Sequence, residues 1–421
     1  MRLLYISLTS SESGEVMIAL NFARQLAGED VRHHFVVPPN LAAKVAENGH
    51  PYTVLDPAVG AGARGLFDDV INQVRPDLII VADYFTHMVF FDYHLEGEHG
   101  LDPWFIMDYG IPVLPIDIWE WENTDFSLDI TAGLALPMDK RILDMPMHLR
   151  PVPTGKPTAS GAGYPYLLTK ETDRLSARRR AEVRAGLSVS GSDRLLVVPI
   201  SNWQQPEESH PTVGRMARRV PDLIAHYLRR LPAQTRFVFV GSVPDSISAL
   251  PAEQTRILPH QSAEDYSALL GACDGTLVLN PPATTLVRAL LADLPGMFVT
   301  NGLPVEDEKD LERADRELGG LSPKVREWIT TSMPVPRFRE WPMSFHTFME
   351  PLLSGNPYLD AVAHNEILDE RAVVEGLTAL LYDAPTQERL AAARATYLER
   401  IAQVPDAAEA VAEAARRFNI S

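Results

Sequence analysis

A short turn with the sequence Asn-Pro-Pro-Ala-Thr-Thr, at residues 280–285, carries the first residues whose types and spacing could do chemistry. It follows an apolar run at 275–279 that predicts a buried strand, and a run with helical spacing comes next. The small residues after the prolines leave the backbone N–H groups of the helix start open, and the helix dipole favours an anion there. The turn therefore predicts a seat for an anion such as a diphosphate, with these candidate ligands: Asn280, Ala283, Thr284 and Thr285.

Polar residues also follow three other predicted strands in the same half of the chain. Ser201 and Asn202 come after the run 195–200, Gly241 and Ser242 after 236–240, and His260 and Gln261 after 256–258. Parallel sheets bind ligands outside the carboxyl ends of their strands. We therefore expect these residues to face the same site as the turn at 280–285.

Predicted strands alternate with predicted helices through both halves of the chain, which favours parallel, doubly wound sheets. A segment rich in proline and glycine, 151–163, is typical of a connection between domains. We predict an N-terminal Rossmann-like domain at residues 1–165, a second Rossmann-like domain at 166–385 and terminal helices at 386–421. The basic run at 176–186 predicts a helix, and Arg178, Arg179 and Arg180 fit a solvated face better than a phosphate site.

Composition limits the class of protein and its partners. The 421 residues are 46% hydrophobic and carry a formal net charge of −18, which is typical of a globular protein and disfavours nucleic acid as a partner. The single cysteine cannot form an internal disulfide, and the N-terminus lacks the apolar core of a signal peptide. No run is long enough to span a membrane. The sequence predicts a cytoplasmic protein, and it leaves the oligomeric state unknown.

The order of elements and the stretch 256–301 resemble nucleotide-sugar-dependent glycosyltransferases of the GT-B fold. The resemblance implies two Rossmann-like domains facing a cleft, with C-terminal helices that pack back on the N-terminal domain. It places the base of the donor at Leu258–Gln261 and the diphosphate at Asn280–Thr285. Many members have a His-Gly-Gly type of turn there, whereas this chain has two prolines, which lack N–H groups. The implied function is metal-independent sugar transfer to a small-molecule acceptor, in a setting such as bacterial natural product biosynthesis.

The base that many such enzymes use is a histidine in the first loop, and this loop, 10–15, contains none. The nearest titratable groups are Glu12 and Glu15, and Glu12 could be a carboxylate base with Asp83 as its carboxylate partner. Two other interpretations stay open. Ser13 and Glu15 could serve only as the N-cap and first turn of the next helix, or the site performs no sugar transfer.

The acceptor is expected at loops that follow strands of the first domain. Residues 85–109 are rich in aromatic side chains, which could line an apolar acceptor pocket or simply pack on the sheet. The predicted acceptor ligands are Ser13, Gly14, Tyr84, His87 and Trp119.

Other chemistries have less support. The histidines are widely spaced, and HExxH and Cys/His patterns are missing, so we predict neither a metal nor a cofactor beyond the nucleotide-sugar co-substrate. The GxSxG, Walker and GxGxxG motifs are missing too. Two alternatives remain: an inactive GT-B-like binding or auxiliary protein, and a nucleotide-sugar epimerase or hydrolase on the same scaffold.

Overall fold

A computed structural model describes residues 1–9, 14–170, 172–200, 211–259 and 261–420. The chain forms two compact units. The first comprises Met1–Phe126, Met138–Glu171 and Arg400–Ser421, and the second comprises Ser127–Pro137 and Thr172–Glu399. The segment 151–163, predicted to connect the domains, lies within the residues of the first unit.

The first unit is built on a parallel sheet whose strand order is β3-β2-β1-β4-β5 among the described residues. Its interior strand β4 has the sequence Leu-Ile-Ile-Val, and all four side chains are fully buried, as expected of a strand covered on both faces. The elements are β1 Arg2–Ile6, α1 Gly14–Gln25, β2 Arg32–Val37, α2 Pro39–Glu47, β3 Tyr52–Val54, α3 Ala63–Val74, β4 Leu78–Val81, α4 Tyr84–Val89 and β5 Val113–Pro115.

Two further strands of the first unit, β8 His148–Val152 and β9 Gly163–Leu167, pair in parallel. The predicted domain boundary at residues 165 and 166 falls inside β9. The last helix, α15 Ala407–Phe418, packs against α1 and β9. Asp406 and Glu409 form a capping box at its start, which satisfies amides of the first turn.

The second unit is built on a parallel sheet with the order β12-β11-β10-β13-β14-β15 in the part of the chain that the structure describes. Its strands are β10 Arg194–Pro199, β11 Thr235–Val240, β12 Thr255–Leu258, β13 Gly275–Val278, β14 Gly296–Thr300 and β15 Ala363–Glu366. The helices from α5 onwards are α5 Ala177–Gly186, α6 Pro211–Leu228, α7 Asp245–Ser248, α8 Ala263–Ala272, α9 Thr284–Leu291, α10 Glu308–Glu317, α11 Pro323–Ser332, α12 Glu350–Leu353, α13 Glu370–Tyr382 and α14 Ala384–Ile401. The predicted α/β class with two doubly wound, Rossmann-like sheets is confirmed.

The basic helix α5 is only partly a solvated face. Arg178 and Arg179 are exposed and pair with Glu182. Arg180 instead binds Asp274 at 2.7 Å, and the buried Arg184 binds the same carboxylate at 2.8 Å. These bonds fix α5 to the start of β13.

A β-hairpin at residues 127–137, called the hairpin below, consists of β6 Ser127–Thr131 and β7 Leu134–Pro137 and belongs to the second unit. The carboxylate of Asp129 holds it to residues 344–348, the anchor segment. It accepts hydrogen bonds from the Ser344 hydroxyl at 2.8 Å and from the backbone N–H groups of the anchor segment: His346 at 2.8 Å, Thr347 at 3.2 Å and Phe348 at 3.0 Å. The sequence analysis did not predict this hairpin.

Candidate functional site

The carboxyl edge of the second sheet is the place where this fold binds ligands. Strands β10 and β13 are neighbours, and from them the chain builds outward in both directions, to β12 on one side and to β15 on the other. The connections leave a crevice at such a crossover point. The loops after β11, β12 and β13 all begin at this edge, because the paired strands are parallel.

The turn between β13 and α9 lies at this crossover point. Ala283 occupies the N-cap position of α9 and has no side-chain oxygen, so it cannot cap the amides of the first turn itself. Thr284 and Thr285 begin the helix, and Asn280 accepts the Ala283 N–H at 3.4 Å. Pro281 is buried, and its carbonyl accepts a hydrogen bond from the Tyr358 hydroxyl at 2.9 Å. The turn is therefore held in place by the buried Tyr358.

Helix α9 is also fixed along its length by groups that the sequence analysis missed. Asp173 is nearly buried and binds Arg288 of α9 through both carboxylate oxygens, at 2.9 Å and 2.7 Å. The hydroxyl of Tyr266 in α8 binds Thr285, and the Arg288 guanidinium lies 5.3 Å from the centre of the Tyr266 ring. These contacts fix the direction of the α9 dipole.

Gly241 brings the ends of three strands close together. Its N–H donates to the carbonyl of Leu258 at 3.0 Å, and a Cβ at this position would lie 2.8 Å from the carbonyl oxygen of Ile200. Its φ of 103° is also a conformation that side chains disfavour. Ser242 is exposed beside it, and Gln261 follows β12, where its amide donates to the Pro259 carbonyl at 2.8 Å.

The described donor candidates thus lie at one edge of one sheet: Gly241, Ser242, Gln261, Asn280, Ala283, Thr284 and Thr285. Ser201, Asn202 and His260 lie outside the described residues, as do Glu12 and Ser13 of the first unit.

Glu366, at the carboxyl end of β15, is a second residue that the sequence analysis did not single out. Burial raises the pKa of its carboxyl to about 7. It accepts hydrogen bonds from the N–H of Gly302 at 2.6 Å and of Leu368 at 3.3 Å, which holds the loop after β14. The strand that carries it was not predicted, so no pattern indicated it.

Asp83 follows β4 at the carboxyl edge of the first sheet. It is 2% exposed, and Oδ2 accepts the Thr86 N–H at 2.8 Å as the N-cap of α4. Burial, and then the negative charge of Glu15, raise its pKa to about 7. Gly14 starts α1, the helix that comes after β1, the neighbour of β4, and the next residue of this helix, Glu15, is the one whose charge acts on Asp83.

The aromatic residues of the first unit form a packed layer. Tyr84 is fully buried; its hydroxyl donates to the Asp139 carbonyl at 2.9 Å and accepts the Ile142 N–H at 3.1 Å. Its ring stacks on Trp104 at 4.3 Å. Buried His87 contacts the Pro103 carbonyl at 2.7 Å, and burial lowers its pKa to about 4. Trp119, 7% exposed, follows β5. The structure favours packing over an open pocket for Tyr84 and His87.

The sequence matches one protein family over residues 22–419, and that family is described as a family of unknown function, DUF6365. The chain belongs to that family. A comparison with curated proteins finds no match.

Three solved structures resemble this one along the chain. Alr3699/HepE of Anabaena in complex with UDP-glucose is 12% identical, with a TM-score of 0.56 and coverage of 100% of this chain and 99% of that chain. Glycosyltransferase VinC in complex with dTDP is 13% identical, with a TM-score of 0.55 and coverage of 100% of both chains. The spinosyn forosaminyltransferase SpnP is 13% identical, with a TM-score of 0.53 and coverage of 100% and 99%. At this identity the likeness shows the fold, which is that of GT-B nucleotide-sugar glycosyltransferases.

Within the residues described above, no three His, Cys, Asp or Glu side chains are grouped so that they could hold a metal ion. None of the helices in the described ranges has both the length and the apolar character needed to cross a bilayer.

Proposed function

We propose that this protein transfers a sugar from a nucleotide diphosphate sugar to a small-molecule acceptor. The observation that carries the proposal is the turn Asn280–Thr285, which starts α9 at the crossover point of a GT-B sheet. Backbone N–H groups and the helix dipole there suit the negative charge of a leaving diphosphate. Transfer would need no metal, because these dipoles supply the stabilisation.

In this proposal Glu12 is the base that takes the proton of the acceptor hydroxyl, and Asp83 is its partner. Asp83 is buried at the end of β4, beside the start of α1, and its pKa of about 7 lets it hold a proton near neutral pH. A carboxyl in that state can exchange a proton with a neighbouring carboxylate instead of repelling it.

The acceptor would bind at the first unit through Ser13 and Gly14. Tyr84, His87 and Trp119 are buried, so we propose that they form the layer beneath the acceptor and shape its floor. A natural-product acceptor is supported by solved neighbours such as the spinosyn forosaminyltransferase. A cytoplasmic location also remains a proposal.

The proposed donor is tested by thermal shift with UDP-, dTDP- and GDP-sugars. We expect a rise in melting temperature with one nucleotide class, since a ligand that binds only the folded state stabilises it. In a turnover assay with that donor, Glu12→Gln should abolish transfer and leave the shift unchanged. An unchanged rate would remove Glu12 from the base role.

A second candidate function is an inactive GT-B-like binding or auxiliary protein. It is favoured by Pro281 and Pro282, which offer no N–H groups in the turn where the diphosphate would lie. Stabilisation by no nucleotide-sugar would support this candidate and contradict the enzyme. Consumption of the donor without any acceptor would instead support the epimerase or hydrolase.

A further inference from the structure

The second unit contains a cavity of about 470 Å³ that the hairpin helps to build. Hairpin residues 129 and 131–135 line one side, and 334–337 line another. Residues 344, 346 and 347 of the anchor segment also line it. Thr212, at the start of α6, and Pro304 and Glu306, after β14, complete the lining, so the cavity lies by the carboxyl edge of the sheet. Its volume is in the range of small-molecule pockets.

The lining of the cavity combines an apolar face with neutral hydrogen-bonding groups. Pro304, Pro334 and Pro336 offer ring carbons, whereas Thr212, Thr347 and His346 offer hydroxyls and an imidazole. Burial, and then Arg339 and Arg337, lower the pKa of His346, so its neutral ring has one donor and one acceptor.

The charged residues of the lining leave little net charge for a ligand to match. The carboxylate of Asp129 is occupied by the four donors of the anchor segment. Glu306 and Arg337 are exposed and opposite in sign. The cavity therefore fits a neutral ring that bears hydroxyl groups and has an apolar face, which is the chemistry of a sugar.

We propose that this cavity binds the sugar of the nucleotide-sugar donor and that the hairpin decides which sugar is accepted. The inference rests on the proposed function, and it adds a subsite built from residues 127–137. The cavity lies by the ends of β10 and β14, and the proposed diphosphate site, the turn Asn280–Thr285, lies along the same edge of the sheet. This shared edge supports the inference.

The test fills the cavity with a larger side chain and leaves the turn Asn280–Thr285, where the nucleotide diphosphate is proposed to bind, unchanged. Ala135 is exposed on β7 and lines the cavity, and an aromatic residue suits a strand, so Ala135→Phe should fold. Ala252→Phe makes the same change at an exposed position outside the lining and serves as the matched control. A second variant, His346→Phe, removes the imidazole donor and acceptor.

Binding is measured by calorimetry with UDP, dTDP, UDP-glucose, UDP-N-acetylglucosamine, dTDP-glucose and dTDP-rhamnose. We expect both cavity variants to bind a nucleotide-sugar about tenfold more weakly than the unmodified protein does, and to bind the corresponding free nucleotide with unchanged affinity. The control variant should bind both ligands with unchanged affinity.

Four other results would overturn the inference. If the cavity variants bound the nucleotide-sugar and the free nucleotide more weakly by the same factor, the cavity would be assigned to the nucleotide. Unchanged affinities in both cavity variants would show that no sugar enters the cavity. The same conclusion would follow if each nucleotide-sugar and its free nucleotide had equal affinities for the unmodified protein and for every variant. Failure of every probe to bind the unmodified protein would refute the proposed function itself and the subsite with it.

Discussion

Replacing Asp83 by Asn should make the protein more stable at neutral and alkaline pH. The native carboxyl is buried, and burial together with the charge of Glu15 raises its pKa to about 7 from its usual value of 3.8. Asn keeps an oxygen for the Thr86 N–H, so the N-cap of α4 is preserved. The variant therefore removes the cost of ionising a buried group, and any cost of burying the new amide group is the same at every pH.

The sign of the pH effect follows from proton binding. Between about pH 4 and pH 7 the folded protein holds the Asp83 proton and the unfolded chain does not, so stability of the native protein falls as pH rises through this window. The full difference between the two pKa values corresponds to at most about 4 kcal/mol. Between about pH 5 and about pH 8 the gain of Asp83→Asn over the native protein should grow by about 2–3 kcal/mol.

Urea unfolding at several pH values measures this gain, with fluorescence and circular dichroism compared because two units need not unfold together. Asp307→Asn is the matched control, since Asp307 caps α10 at an exposed position and undergoes the same exchange of carboxylate for amide. A gain for Asp83→Asn that stays constant or shrinks with rising pH would refute a raised pKa at Asp83.

Three further predictions concern the second unit, each measured by urea unfolding. Gly241→Ala should destabilise by about 1–3 kcal/mol more than Gly28→Ala, because both have φ near 100° but only the new Cβ at 241 meets a carbonyl oxygen; equal losses would contradict a steric cause. Arg184→Met should cost about 3 kcal/mol and Arg178→Met under about 0.5, because one guanidinium is buried and the other exposed; similar costs would show that burial is not decisive. Asp129→Ala should cost about 1–3 kcal/mol by leaving the donors of the anchor segment unpaired, and it should expose the hairpin to proteolysis; a hairpin that resists the protease would show other anchors.

The parts of the fold that sequence predicts are those set by local chemistry. Strands β11, Thr235–Val240, and β13, Gly275–Val278, match the predicted runs 236–240 and 275–279 to within one residue, because a buried apolar run is marked in its own residues. The location of the candidate site follows at one remove. Once the strands are parallel, residues such as Gly241 and Asn280 must share an edge of the sheet.

The position of the hairpin could not be predicted, because the groups that anchor Asp129 are distant in sequence. Asp129 and Ser344 are 215 positions apart, and nothing in the residues around Asp129 indicates that four donors will converge on it. The same limit applies to Arg184, whose partner Asp274 is 90 positions away. Composition shows that these residues are charged, and only the fold shows whether the charge is solvated or buried.

Aromatic residues raise a different difficulty, because a pocket and a packed layer have the same composition. Tyr84 could line either one. Its hydroxyl is satisfied by Asp139 and Ile142, and its ring stacks on Trp104, so its bonding capacity is used within the unit. These hydrogen bonds and the ring stacking indicate that Tyr84 belongs to a packed layer rather than to a pocket. They depend on tertiary contacts that the periodicity of the sequence does not reveal.

Three carboxylates that are buried or half-buried, Asp83, Asp274 and Glu366, separate into two groups, and the difference bears on function. Burial acts to raise the pKa of Asp274, but the Leu195 N–H and the guanidinium of Arg184 hold it below its usual value. In Asp83 and Glu366 burial prevails, and both pKa values rise to about 7. Both follow the carboxyl end of a parallel strand, where this fold binds ligands. A buried acid that weakens the fold at neutral pH is poorly explained by stability, and strongly shifted groups concentrate at functional sites. The contrast therefore adds support to the proposed role of Asp83, whereas Glu366 also holds the loop after β14 and Asp274 anchors α5.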